Sequence, residues 1–63
     1  MADFDKLQAA RSKIQSYIDQ AYIPVRIKVD LRERLREATS MMMLVKVYAE
    51  AQYAEHMTEL MGL

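Results

Sequence analysis

His56 and Glu59 stand three positions apart, with Glu55 adjacent to the histidine. On a helix that spacing puts an imidazole and a carboxylate on one face, the raw material of carboxylate-bridged metal centres. Such centres use Glu-x-x-His in that order, with further carboxylates on facing helices. Here the order is reversed, and the N-terminal segment offers only Asp3, Asp5 and Asp19. The expectation is a solvated His56 and no metal site. Ser12, Ser16 and Ser40 lack the context of an activated nucleophile. A single glycine excludes a glycine-rich phosphate loop, and the absence of cysteine excludes disulfides and thiolate ligands. No catalytic or cofactor-binding residue is expected, and the chain reads as non-enzymatic.

Charge offers a second kind of chemistry. Nine basic and nine acidic residues cancel, whereas nucleic-acid binders usually carry a basic surplus. The distribution is uneven, however. Arg26, Lys28, Arg32, Arg34 and Arg36 face only Asp30 and Glu33 within one short segment. These five are the candidate contacts for an anion or a nucleic acid. The stretch "PVRIKVDLRERLREA" resembles the strand and first helix of ribbon-helix-helix repressors over 15 residues. The resemblance implies a dimer whose paired strands would present Arg26 and Lys28 to the DNA major groove. The other reading of the same residues is a solvated basic link.

Methionine offers a third. Met41, Met42, Met43, Met57 and Met61 crowd one segment. Methionine is flexible and polarizable, and it is over-used on surfaces that accommodate partners. Tyr53, Met57 and Leu60 are the candidate partner-binding residues, in the manner of a helix laid in a groove.

The elements that must position these residues follow from periodicity. Phe4, Leu7, Ala10, Ile14, Tyr17, Ile18 and Ala21 recur at steps of three and four, which predicts an amphipathic helix over about 3–22 with Asp3 as its cap. Pro24 disfavours a helical conformation at Ile23 and should stop it. Two readings of the next residues compete. Pro24 opens a second helix, or residues 23–29 form an extended link, with Asp30 and Glu33 as a capping box. The alternation of Val25, Ile27 and Val29 with Arg26 and Lys28 favours the link. A long second helix then runs over about 30–61, ended by Gly62.

That second helix carries two apolar faces. Leu31, Leu35, Ala38, Met42, Val45 and Ala49 form a heptad-type stripe that an antiparallel first helix would cover. Met43, Leu44, Val47, Ala51, Ala54 and Met61 lie on roughly the opposite side and have no partner left in such a hairpin. The two faces overlap at "MMMLV", which is therefore apolar all round.

The expected architecture is an all-α, two-helix antiparallel hairpin with a longer second helix, dimerising into a four-helix bundle. Met43, Leu44, Val47, Ala51, Ala54 and Met61 form its expected dimer interface. At 63 residues the chain is a single domain with a marginal core, and oligomerisation is a common remedy. "MADFDKLQAA" contains no apolar signal core, and no apolar run is long enough to span a bilayer, so a cytoplasmic protein without membrane association is expected. The expected function is a small regulator, adaptor or inhibitor that works as a homodimer and binds a larger protein. A nucleic-acid-binding dimer and a subunit of a larger helical assembly are the alternatives.

Overall fold

The computed structural model describes the backbone of residues 2–62 and the side chains of residues 4–62. Three helices follow one another: α1 (Ala2–Gln20), α2 (Val25–Glu37) and α3 (Met41–Met61). No strand occurs among the described residues. The expected Asp3 cap lies outside the described side chains.

The first helix forms as its periodicity requires. Leu7, Ala10, Ile14, Tyr17 and Ile18 turn inward, while Phe4 at its start stays exposed. It closes at Gln20 with the Ala21 amide still bonded to the Tyr17 carbonyl at 2.9 Å. Ala21 and Ile23 then bury their side chains in the turn.

Residues 23–29 are not an extended link. Pro24 is the N-cap of α2, at φ −55° and ψ 144°, and its carbonyl accepts from the amides of Ile27 and Lys28, both at 3.0 Å. A helix start leaves its first amides without intrahelical partners, so the missing proline N–H costs nothing there. Val25, Ile27 and Val29 are helical and at least partly exposed. Asp30 and Glu33 lie inside α2 rather than in a capping box. The ribbon needed for a ribbon-helix-helix dimer is therefore absent among the described residues.

The expected long second helix is also interrupted. Ala38 is extended (φ −68°, ψ 128°), and Ser40 is the cap of α3, its hydroxyl accepting from the Met43 amide at 3.2 Å. Serine is among the best N-caps because its oxygen satisfies one of those orphan amides. At the other end Gly62 adopts φ 70°, as expected, and its amide bonds to the Glu59 carbonyl at 3.2 Å. That left-handed conformation costs a residue with a Cβ about 1–2 kcal/mol and glycine little.

The break changes the architecture. Arg11 of α1 reaches the carbonyls of Leu35, Arg36 and Ala38, and Asp19 pairs with Arg32, so α1 and α2 are antiparallel. Arg34 pairs with Glu50 and Glu37 lies near Met43, which makes α2 and α3 antiparallel as well. Helices α1 and α3 then run parallel, with Tyr17 against Tyr48 and Glu55. The result is an up-down-up bundle of 43 × 16 × 16 Å. A two-helix hairpin that needs a second copy to complete four helices is replaced by three helices within one chain. The core comprises Ile18, Ala21, Ile23, Leu31, Leu35, Ala38, Leu44, Val47 and Ala51.

Candidate interaction surface

The two faces of α3 exchange roles relative to the sequence expectation. Leu44 is 0% exposed, and Val47 and Ala51 are buried beside it, with Ala54 half-buried against the same core. These residues were expected to face a second copy because no intrachain partner was foreseen. Folding α2 back supplies Leu31 and Leu35 as that partner. Met43 and Met61, from the same expected interface, are exposed. Met43 lines a groove between α2 and α3 with Arg34, Glu37, Lys46 and Val47.

The opposite face of α3 is left to solvent. Met42 is 71% exposed, Val45 55%, Tyr53 66% and Leu60 70%, with Ala49 and His56 exposed between them. At about 100° per residue these positions form one stripe down the helix. Met42, Val45 and Ala49 were expected to lie under the first helix. Of that heptad run only Leu31, Leu35 and Ala38, which precede the break, are buried. Two of the three expected partner-binding residues, Tyr53 and Leu60, are on the exposed stripe, whereas Met57 is half-buried.

Next to this face, α1 and α3 enclose an open groove of about 390 Å³ lined by Ala10, Lys13, Ile14, Tyr17 and Tyr48. Its floor is built on the two tyrosines, whose ring centres lie 5.2 Å apart at 73°, an edge-to-face arrangement. The Tyr17 hydroxyl donates to Glu55 Oε1 at 2.5 Å, and the Tyr22 amide donates to Glu55 Oε2 at 3.0 Å. The hydrogen bond to Glu55, reinforced by burial and by the negative charge, pushes the Tyr17 pKa up to about 12. The same two donors hold the Glu55 carboxyl below its usual range. No motif or local spacing in the sequence groups Tyr17, Tyr48 and Glu55, which meet only through the packing of α1 on α3.

The basic segment lies along a helix and is largely engaged. Lys28 donates to the Asp19 carbonyl at 2.9 Å, Arg32 pairs with the Asp19 carboxylate at 2.7 Å, and Arg34 donates to Glu50 Oε1 at 2.9 Å. The Glu50 contact raises the Arg34 pKa further. Arg26 and Arg36 are exposed at different angles around α2. Lys28, Arg32 and Arg36 recur at four-residue steps on one side of α2, where Arg32 and Arg36 line a pocket with Arg11, while Arg26 and Arg34 lie on other sides. His56 is solvent-exposed, and no group of three or more metal-ligating side chains occurs among the described residues. Ser12 and Ser16 are exposed on α1, and Ser40 serves as a cap. No described helix is long and apolar enough to cross a membrane.

Compared with protein-family models, curated proteins and solved structures, the chain matches none. The functional reading therefore rests on the surface just described.

Proposed function

We propose that this chain is a non-enzymatic protein-interaction module, a small regulator, adaptor or inhibitor, that docks through the outer face of α3. One observation carries the reading: a stripe of apolar side chains, Met42, Val45, Ala49, Tyr53 and Leu60, interrupted by His56, faces solvent on the side of α3 away from the buried core. Soluble monomers rarely leave contiguous apolar surface of several hundred Å² uncovered, and such patches mark interfaces. Tyrosine and methionine, both on this stripe, are enriched at interfaces. The outer face of α1, with Asp5, Ser12, Ser16 and Asp19, has the composition of an ordinary solvated surface.

The test is site-specific photo-crosslinking in cells. A photoreactive phenylalanine derivative replaces Tyr53 in one variant and Ser12 in another. A discrete adduct from position 53 and none from position 12 is expected. No adduct at position 53, or equal labelling at both, would remove the α3 face from the proposal.

A further inference from the structure

We infer that the occupant of this face is a second copy of the chain, with the two α3 helices antiparallel across a twofold axis near Ala51. The inference rests on the docking role of α3 and adds the partner and its orientation.

Three observations support it. The first is the need for cover. Among the described residues, Ile18, Leu35 and Leu44 are the large side chains buried completely, whereas twelve large apolar side chains are exposed. A core of that size is marginal for a chain of 63 residues, and self-association is the usual supplement. The second is size matching along the stripe. Its ends, Met42 and Leu60, lie equally far from Ala51, so a twofold at that level sets Met42 of one copy against Leu60 of the other. The same axis sets exposed Ala49 against exposed Tyr53, the small residue leaving room for the ring. The third is charge. Lys46 is the single lysine or arginine of α3 and lies in its first half, while the exposed Glu59 lies in the second. Antiparallel packing brings each lysine toward the acidic half of its neighbour. Parallel packing would place lysine by lysine and the carboxylates together, an arrangement that costs affinity.

The geometry is specific. Met42 and Leu60 of one chain are about 27 Å apart along the helix at 1.5 Å per residue, so neither can bridge to the other within a monomer. The chain has no cysteine of its own. Single substitutions Met42→Cys and Leu60→Cys therefore act as clean reporters.

The experiment measures solution mass by light scattering from micromolar to millimolar concentration, and then oxidises the cysteine variants alone and mixed. Twice the 7.4 kDa chain mass is expected for the natural sequence. Val45→Asp with Tyr53→Asp should keep full helicity by circular dichroism, because both positions are exposed, and should weaken the dimer about a hundredfold or more. Mixed M42C and L60C should give a disulfide-linked pair, and neither alone should. Linkage of M42C with itself would overturn the antiparallel arrangement. A monomer throughout the range would overturn the second copy; a heavier adduct at position 53 would then preserve the docking role of α3, and no adduct would remove that too. A dimer indifferent to the double aspartate variant would overturn the second copy on this face, and the adduct at position 53 would again decide the docking role of α3.

Discussion

Tyr17 and Glu55 meet at 2.5 Å across 38 positions of sequence, and the same carboxylate also accepts the Tyr22 amide. One side chain of α3 thereby holds both the last turn of α1 and the turn that follows it. The contact fixes how far α1 and α3 slide past each other, because a hydrogen bond this short tolerates little axial movement.

Its pH dependence has a definite sign. The Tyr17 pKa is raised from 10.0 to about 12, so its contribution is complete below pH 10 and is lost as pH rises toward 12. The Glu55 pKa is lowered from 4.5, so its contribution is present above that value and is lost as pH falls through the folded-state pKa. Thermal unfolding of the natural chain and of Tyr17→Phe should therefore differ by a constant amount between about pH 6 and 9, and the two should converge at both extremes. In Tyr17→Phe the Glu55 carboxyl should titrate closer to its ordinary value, as followed by carbon-detected NMR. An unchanged Glu55 titration would contradict the contact.

Leu44→Ala should destabilise the folded chain by about 2–5 kcal/mol, since it opens a cavity at a fully buried position. Ala51→Leu should cost about 1–3 kcal/mol by overfilling the same core. Urea unfolding monitored by circular dichroism measures both. If these residues lay on a solvent-facing side of the monomer, the substitutions would leave its stability almost unchanged.

Arg11 supplies a hydrogen-bonded cap to the end of α2 from another helix. Its guanidinium donates to Ala38 O at 2.8 Å and Arg36 O at 3.2 Å, and also to Leu35 O. A cation at a helix C-terminus also opposes the negative end of the helix dipole. Arg11→Met should cost about 1–3 kcal/mol and speed amide exchange in the last turn of α2 first. Arg11→Lys should recover only part, because an ammonium lacks the planar fork that spans several carbonyls.

Ser40→Ala should cost about 1 kcal/mol, and Ser40→Asp should preserve the cap. The Met43 amide, which bonds the Ser40 hydroxyl, is the reporter. Its exchange should accelerate in the alanine variant and stay slow in the aspartate one.

Sequence reasoning located the first helix to within two residues at its end and the final stop at Gly62, because both depend on neighbours along the chain. Pro24 fixes φ through its ring and Gly62 admits a positive φ because it lacks a Cβ, so each acts through its own covalent structure. The two-faced character of the Met41–Met61 segment was equally legible, since it follows from residue type and a 3.6-residue repeat alone. The break at Ala38–Ser40 was not. Alanine, threonine and serine each tolerate a helix interior at a cost below about 0.7 kcal/mol, so local preference does not force the chain to turn there. The Thr39-Ser40 pair was the available signal, as a cap ahead of the apolar run.

What decided the turn is burial. An unbroken helix over 30–61 would cover one apolar stripe with α1 and leave the other in water. Breaking it after Glu37 costs a few helical hydrogen bonds and lets Leu31 and Leu35 pack on α1 and α3 together, around Ile18 and Leu44. Each large side chain removed from water contributes about 1.5–3 kcal/mol, which outweighs those bonds. Adjacent residues thereby acquire opposite fates: Leu44 is sealed in the core, while Val45 faces out. The sequence alone determined that this protein is helical, where its first helix ends, and that its last helix is apolar on two sides. Only the tertiary structure decided which side is inside, because that choice depends on α2, a partner that exists only once the chain has folded back on itself.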